Sequence, residues 1–156
     1  MKRREKEMKI LVIHGPNLNL LGSREPHIYG IMTLDEINDM IIKKAKEIGV
    51  QVRIVHHNSE GGIIDEIQNA RHWANGIVIN AGAYTHYSIA IRDALCSVDL
   101  PAVEVHVSNT FSREKFRHKS VISPVVNGVI VGLGPYGYLY ALDYLVNTAK
   151  VNTAKR

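Results

Sequence analysis

Five short runs rich in valine and isoleucine restrict the fold of this chain more than any other feature of its sequence. They lie at residues 10–13, 50–55, 77–79, 102–107 and 129–131. Each run is apolar at nearly every position rather than at alternate ones, which is typical of strands covered on both faces. Because parallel strands need crossover connections that pack on the sheet, these runs favour a parallel sheet.

Amphipathic segments lie between the runs and predict the crossover helices. The first follows a capping box that begins at Thr33 and includes Glu36, and Gly49 is its stop signal. Further helices are predicted at about 63–70, 88–97 and 136–150, while 109–124 has no clear period. The order β-α-β-α-β-α-β-loop-β-α predicts an α/β fold with a doubly wound, five-stranded parallel sheet of flavodoxin-like type and helices on both faces.

The length of 156 residues indicates a single domain, which we place at residues 8–150. Residues 1–7 precede the first strand and form a basic N-terminal arm in this interpretation. Residues 151–156 form a tail in which 151–155 repeats the sequence of 146–150. We expect this tail either to extend the last helix or to fray, and we assign it no function.

Composition excludes several classes of protein. No apolar run approaches the roughly 18 residues of a membrane span, and the charged N-terminus lacks the apolar segment of a secretory signal. The single cysteine, Cys96, rules out an internal disulfide framework, and we expect it to be buried. We therefore expect a cytoplasmic protein without a membrane partner.

The net charge of +4 does not indicate nucleic-acid binding. Five of the 19 lysines and arginines lie in the first nine residues, so the body of the chain is less basic than the total implies. No basic stripe interleaved with aromatic residues is present, and we predict no nucleic-acid partner. A small anionic substrate explains a few basic side chains equally well.

Polar residues or glycines follow every predicted strand. These segments are 14–17, 57–61, 80–82, 106–109 and 132–134. Ligands of open parallel sheets bind beyond the carboxyl ends of the strands. Turn chemistry alone explains some of these residues, but a histidine at three of the five ends favours a functional site.

The loop at residues 14–30, which follows the first strand, is much longer than the roughly two to six residues of an ordinary strand-to-helix connection. Glycines and prolines fix its path, and leucines can pack it down. Asn17, Asn19, Arg24 and Tyr29 supply its polar groups. Long structured loops of this kind are typical of lids and binding loops.

Glu104 and His106 form the sharpest pair in the sequence. Residues two apart on a strand point to the same face, and a carboxylate inside an apolar strand needs a partner. Glu104 bound to one ring nitrogen would fix the tautomer of His106 and support an imidazolium. Two hypotheses remain open, a structural ion pair and a positioned general acid or base.

Other candidates are weaker when taken alone. A phenol such as Tyr29 is a poor base at neutral pH, and a guanidinium beside it favours its ionised form. His86, at the start of the third helix, is either a cap or surface histidine or a ligand group. Asp93 with Arg92 fits a surface pair, and Arg117 with His118 fits either solvated surface or an anion clamp.

Metal and dinucleotide sites are poorly supported by the sequence. It contains no His-Glu-x-x-His motif, cysteine pair or acidic cluster, so we predict no metal. Residues 132–137 match Gly-x-Gly-x-x-Gly, but they follow the last strand instead of opening a βαβ unit. We therefore predict no cofactor.

A set of specific motifs runs in order through roughly residues 8–145. They are Gly15-Pro16-Asn17-Leu18-Asn19-Leu20-Leu21-Gly22, Arg24-Glu25-Pro26, Tyr29-Gly30, Glu60-Gly61, Asn80, Gly82-Ala83-Tyr84-Thr85-His86, Ile91-Arg92-Asp93-Ala94-Leu95, Glu104-Val105-His106-Val107-Ser108-Asn109, Arg113-Glu114, Phe116-Arg117-His118 and Gly132-x-Gly134-x-x-Gly137-Tyr138. Together they resemble the type II 3-dehydroquinate dehydratases, small hydro-lyases of the shikimate pathway. The resemblance implies a flavodoxin-like catalytic domain that needs no cofactor and assembles as trimers into a homododecamer.

The resemblance also implies a reaction, the conversion of 3-dehydroquinate to 3-dehydroshikimate and water by enolate formation and anti elimination. It gives individual residues roles in that reaction. Tyr29 would remove the proton beside the carbonyl, with Arg24 keeping it ionised and Arg113 as a second cation. Asn17 would hold a water that stabilises the enolate. His106, oriented by Glu104, would protonate the departing hydroxyl. Asn80, His86 and Arg117 would hold substrate hydroxyls, the Val107 backbone and the Ser108 hydroxyl would bind the carboxylate, and Asp93 would reach an adjacent subunit's site.

Two positions depart from the family pattern. Ala81 stands where the family usually has proline, and Tyr87 stands where it usually has threonine. These changes affect local rigidity and remove no catalytic group. The alternative hypothesis is a flavodoxin-like module that binds a nucleotide or a signal. It would expect an acidic or phosphate-binding cluster after the first strand, where this chain has Gly15-Pro16-Asn17.

Overall fold

The computed structural model describes residues 7–154 and contains one parallel sheet. Its strands are β1 (Lys9–His14), β2 (Gln51–His56), β3 (Gly76–Asn80), β4 (Ala102–His106) and β5 (Gly128–Val131). The strand order is β2-β1-β3-β4-β5, and every neighbouring pair is parallel. The predicted flavodoxin-like, doubly wound five-stranded sheet is therefore confirmed.

Five α-helices connect or follow the strands. They are α1 (Pro26–Tyr29), α2 (Leu34–Ile48), α3 (Glu60–Ala70), α4 (Ile89–Ser97) and α5 (Tyr136–Ala154). Short 3-10 turns cover Leu18–Leu20, Gly82–His86, Thr110–Ser112, Lys115–Arg117 and Ser123–Val125. The segment without a clear period therefore consists mainly of short turns.

The start of α2 forms as its sequence predicts. The Glu36 amide donates to the Thr33 hydroxyl over 3.2 Å, and the Thr33 amide donates to the Glu36 carboxylate over 2.8 Å. This reciprocal pair satisfies two backbone groups that an uncapped helix would leave without partners. At the other end, Gly49 has a φ of 73° and ends the helix.

Two hydrophobic clusters, one on each face of the sheet, hold the helices. Alternate residues of β1 divide between them, so Ile10 and Val12 face α2 and α5 while Leu11 and Ile13 face α3 and α4. All four β1 side chains are completely buried. Full burial of each such side chain contributes about 1.5–3 kcal/mol, so the sheet centre is a rigid platform for the loops at its carboxyl edge.

The strands at the two edges of the sheet differ from expectation. The sequence favours strands covered on both faces, and this holds for β1, β3 and β4. In β2, Gln51 and Arg53 are exposed, and in β5 Val129 is exposed. An edge strand has a partner on one side alone, and here the helices reach only part of it.

The C-terminal tail is helical as far as the structure describes it, and Cys96 lies on the surface. Helix α5 continues through the repeated segment to Ala154, so the tail extends the last helix as far as the structure describes it. Most of the basic arm, residues 1–6, and residues 155–156 lie outside the described part of the chain. Cys96 is exposed, so its expected burial is wrong, because its position on α4 faces away from the sheet.

None of the helices within residues 7–154 has the length and apolarity needed to span a membrane.

Candidate active site

A cavity of about 240 Å³ lies at the carboxyl edge of β1, β3 and β4. It is lined by most of the residues that the sequence predicts for the site, namely Asn17, Arg24, Tyr29, Asn80, His86, His106, Val107, Ser108, Arg113 and Arg117. Glu104 lies behind His106, and Asp93 does not line this cavity. The loops after β1, β3 and β4 thus meet as expected for a parallel sheet.

Close backbone packing brings the ends of β1 and β3 together. The Gly15 amide donates to the Asn80 carbonyl over 2.7 Å. A Cβ on Gly15 would lie 2.5 Å from the carbonyl carbon of Ala81, which is closer than real Cβ atoms approach backbone. Glycine at position 15 therefore allows Asn17 and Asn80 to line one cavity.

The 14–30 loop is anchored and then turned back over the site. Leu18 and Leu21 are buried against the α2 and α5 face of the core, as the sequence predicts. Glu25 has a left-handed φ of 39°, and Pro26 starts the single turn of α1, which ends at Tyr29. Non-glycine residues adopt such a φ rarely, so this turn is held by its surroundings.

Two arginines flank Tyr29. The Arg113 Nη1 donates to the Tyr29 hydroxyl over 2.7 Å and to the Ser108 hydroxyl over 3.3 Å. The Arg24 guanidinium carbon lies 5.3 Å from the centre of the Tyr29 ring, and that of Arg113 lies 5.0 Å from it. Two guanidinium groups therefore lie beside one phenol, and its oxygen accepts a hydrogen bond from Arg113.

His106 and Glu104 form a buried pair on β4. The His106 Nε2–H donates to Glu104 Oε1 over 2.6 Å, and Glu104 is completely buried. The other carboxylate oxygen accepts from the hydroxyls of Ser123, over 2.6 Å, and Ser120, over 3.1 Å. Although burial opposes it, these bonds hold the pKa of Glu104 below its ordinary value. Because the carboxylate binds Nε2, the Nδ1 atom of His106 remains available for proton transfer.

His86 packs beside His106. Its Nδ1–H donates to the Lys119 carbonyl over 2.7 Å, and its ring stacks on that of His106 with centres 6.5 Å apart. Burial lowers the pKa of His86, so the ring is neutral and its Nε2 is a hydrogen-bond acceptor. Arg117, in contrast, donates from Nε to Glu114 over 2.9 Å while it lines the cavity.

Asn80 is held from below the cavity. Its Nδ2 donates to the Tyr138 hydroxyl over 3.0 Å, and its Oδ1 accepts from the Gly82 amide over 3.2 Å. The Tyr138 hydroxyl also lies 3.0 Å from the Nδ1 of His14, whose Nε2 lies 2.8 Å from Asn38 Oδ1. Burial lowers the pKa of His14 to about 4, so this ring is neutral.

The three histidines at strand ends separate in the structure. His106 lines the cavity, His14 lies in the buried group with Tyr138, and His57 bonds Glu66 over 3.2 Å. The general argument from strand ends therefore identified one cavity histidine of three. Turn and packing requirements account for the other two.

Sequence reasoning missed the groups that support the lining residues. Ser120 and Ser123 lie in a segment without a period, and nothing in the sequence links them to Glu104. Tyr138 was one position in a family motif with no assigned role. His14, with a buried tyrosine partner, had only the signal that it ends an apolar strand.

Three further predicted positions lie away from the chemistry of this chain's cavity. Asp93 is exposed on α4, and its expected reach to a neighbouring subunit stays a prediction. Ala81 is buried with a φ of −76°, and Tyr87 is 61% exposed. Within residues 7–154, no cluster of three or more histidine, cysteine or acidic side chains is arranged to hold a metal ion.

Comparison with known proteins gives one family over nearly the whole chain. The family model described as dehydroquinase class II matches residues 8–146. A 3-dehydroquinate dehydratase of Roseiflexus castenholzii is 56% identical over 142 residues, covering 90% of each protein. One of Halothermothrix orenii is 55% identical over 142 residues, covering 91% of this chain and 96% of the relative.

Comparison with solved structures leads to the same family. The type II dehydroquinase from Butyrivibrio crossotus superposes with a TM-score of 0.89 at 54% identity, covering 90% of this chain and 98% of its own. The matched residues include every strand and every residue that lines the cavity. The chain therefore belongs to the class II dehydroquinase family.

Proposed function

We propose that this protein dehydrates 3-dehydroquinate to 3-dehydroshikimate and water, with Tyr29 as base and His106 as acid. Its family membership and the names of its relatives support the reaction. One observation carries the assignment of the residues. The Tyr29 hydroxyl, bonded by Arg113, and the His106–Glu104 pair line or border the same cavity.

The first step is removal of the proton beside the substrate carbonyl. Tyr29, as phenolate, takes this proton, and the electron pair of the C–H bond moves to give an enolate. Arg113 and Arg24 stabilise the phenolate before the transfer. Asn17 holds a water that donates a hydrogen bond to the enolate oxygen, so the developing charge meets a donor already in place.

The second step is loss of the hydroxyl from the neighbouring carbon, on the face of the substrate ring opposite to the proton that was removed. The enolate collapses, the C–O bond breaks, and the Nδ1–H of protonated His106 gives its proton to the leaving oxygen, which departs as water. Glu104 stabilises the imidazolium before that transfer and fixes the ring orientation. Tyr29 then releases its proton to solvent and His106 takes a proton from solvent, which restores the phenolate and the imidazolium.

The remaining lining residues hold the substrate. The Ser108 hydroxyl and the Val107 amide bind its carboxylate, and Asn80, His86 and Arg117 hold its hydroxyls. The neutral His86 can accept a hydrogen bond from a hydroxyl through Nε2. No cofactor is required, because the ketone itself acidifies the proton that is removed.

We also propose that the protein works in the cytoplasm as a homododecamer of trimers in which Asp93 reaches the site of a neighbour. The exposure of Asp93 supports this assignment. Light scattering should give a mass near that of twelve chains, and a monomer at working concentration would contradict the assembly. Asp93→Asn should lower activity without unfolding the chain.

A nucleotide- or signal-binding module is less well supported. Such a module would need an acidic or phosphate-binding loop after β1, and Gly15, Pro16 and Asn17 supply neither.

The test is a direct assay. The purified protein is incubated with 3-dehydroquinate in metal-free buffer while the ultraviolet absorbance of the conjugated enone product is followed. Turnover is expected, and its absence would contradict the proposed function. Tyr29→Phe should abolish turnover but keep substrate binding, and near-normal kcat would remove Tyr29 as the base.

The role of His106 has a separate test. His106→Ala should stall the elimination while proton exchange beside the carbonyl continues, which mass spectrometry in deuterated water can detect. Loss of exchange together with elimination would assign His106 a different role.

A further inference from the structure

A chain of four polar side chains lies beneath the cavity. It runs from Asn38 on α2 through His14 at the end of β1 and Tyr138 on α5 to Asn80 at the end of β3. His14, Tyr138 and Asn80 are 0%, 1% and 3% exposed. Only Asn80 of the four lines the cavity. The reaction proposed above uses none of the other three.

The direction of each hydrogen bond in this chain follows from the chemistry of its groups. A neutral imidazole has one donor and one acceptor nitrogen. The Asn38 Oδ1 can only accept, so the Nε2 of His14 carries the proton and its Nδ1 accepts. The Tyr138 hydroxyl must then donate to His14, which leaves its oxygen to accept from Asn80 Nδ2.

The same logic fixes the amide of Asn80. Its Nδ2 faces the Tyr138 oxygen, and its Oδ1 faces the Gly82 amide. A flipped amide would place an oxygen against the Tyr138 oxygen, whose proton is already given to His14. It would also place an NH₂ group against the Gly82 N–H. Both ends of the amide therefore favour a single orientation.

We propose that Tyr138, oriented by His14, is a positioning residue that fixes the Asn80 amide for substrate binding. This inference rests on the proposed role of Asn80 as a ligand for a substrate hydroxyl. One Nδ2 hydrogen is used by Tyr138, so the second is the donor that remains for substrate. Removing the Tyr138 hydroxyl leaves the bond from the Gly82 amide to hold this orientation alone, so a rotated amide becomes populated and substrate must select the competent one.

If Tyr138 served packing alone, its substitution would affect activity in a different way. Buried polar groups need partners whether or not they serve a site. A group that acts only through stability affects activity independently of Asn80. A positioning group, in contrast, loses its effect once the Asn80 amide is gone. A double-mutant cycle separates the two cases.

The experiment measures kcat and KM for 3-dehydroquinate in wild type, Tyr138→Phe, Asn80→Ala and the double variant. We expect Tyr138→Phe to lower kcat/KM by about tenfold, mainly through KM, because a hydrogen-bonded group is lost. In the Asn80→Ala background the same change should have less than about a twofold effect. Tyr140→Phe, on the exposed face of α5, is the matched control and should behave as wild type.

Two results would overturn the inference. One is a folded Tyr138→Phe variant whose kcat/KM stays within about twofold of wild type. The other is an equal loss in both backgrounds, which would assign Tyr138 to stability. Wild-type turnover tests the proposed function, whereas the variants test the positioning role of Tyr138. Failure of one proposal can therefore be distinguished from failure of the other.

Two further measurements keep the inference testable. If Tyr138→Phe does not fold, His14→Gln retains an acceptor for the Tyr138 hydroxyl while His14→Leu removes it. Only the leucine variant should lose kcat/KM, and equal losses would count against positioning. A crystal structure of Tyr138→Phe, or of His14→Leu in its place, needs no turnover. Asn80 should be rotated or in two orientations, and an unchanged amide would refute the proposal.

Discussion

Arg113 donates a hydrogen bond to the hydroxyl of Tyr29 across 2.7 Å, joining the loop after β4 to the loop after β1. The two residues are 84 positions apart in sequence. Arg24, much nearer in sequence, meets the face of the same ring. The proposed base therefore has a direct cationic partner from a different part of the chain.

Replacing Arg113 by alanine should lower kcat by about a hundredfold, because a charge aimed at the reacting oxygen is lost. Steady-state rates at saturating substrate measure the effect. Arg24→Ala should also lower kcat, but by no more than Arg113→Ala. Lys115→Ala, an exposed cation two residues away, is the control. A kcat for Arg113→Ala near that of the control would contradict the assignment.

Ser123→Ala should move the acid limb of the kcat/KM profile to higher pH. The Ser123 hydroxyl bonds the ionised form of Glu104, so its loss raises the pKa of that carboxyl. Glu104 would then be protonated at a higher pH, and His106 would lose its anionic partner there. Ser112→Ala, whose hydroxyl bonds the Asn109 carbonyl, is the control. An unchanged limb would show that Glu104 does not govern it.

His14 should make the folded protein less stable in acid. Its pKa falls from 6.5 to about 4 on folding because the ring is buried. Between these values the unfolded chain binds a proton that the folded chain does not. Stability therefore decreases as pH falls through this window, by about 3 kcal/mol in total.

The matching measurement is urea unfolding of wild type and His14→Gln at several pH values. The difference between their unfolding free energies should change across the window from pH 6.5 to about 4 and be flat above it. A constant difference would contradict the shift.

Ala81→Pro should stabilise the protein by about 0.4–1 kcal/mol by restricting the unfolded chain. Ala81 has a φ of −76°, close to that of proline, and follows the extended residue Asn80. Thermal unfolding measures the change, and activity should be retained. A lower melting temperature would show that the buried site has no room for the ring.

Gly15→Ala should destabilise the protein by about 1–3 kcal/mol, because its Cβ would press on the Ala81 backbone. The shift would separate Asn17 from Asn80, so activity should fall as well. Gly61→Ala is the matched control, since a Cβ there meets nothing within 4 Å. Equal stability of the two variants would contradict the close-packing argument.

Features set by local sequence were predictable. The apolar runs identified all five strands, and the capping box at Thr33 and Glu36 formed as expected. The 14–30 loop packs onto the core through Leu18 and Leu21, as its leucines predict. In each case the signal lies within a few residues of the structure that it determines.

Features set by distant contacts were not predictable from pattern. Ser120 and Ser123 lie 16 and 19 residues from Glu104, and Tyr138 lies 58 residues from Asn80. Hydroxyl groups in these positions carry no periodic signal. The exposure of Gln51 and Arg53 likewise follows from the edge position of β2, which depends on the order of the strands.

The strand order has a consequence for how the protein gains its activity during synthesis. β1 pairs with β3 although α1, α2, β2 and α3 lie between them in sequence, and closing so long a loop is slow compared with helix formation. Every residue that lines the cavity lies at or before Arg117, whereas the helix that holds Asn80 from below begins at Tyr136. The ribosome therefore synthesises every residue that lines the cavity before the helix that supports Asn80.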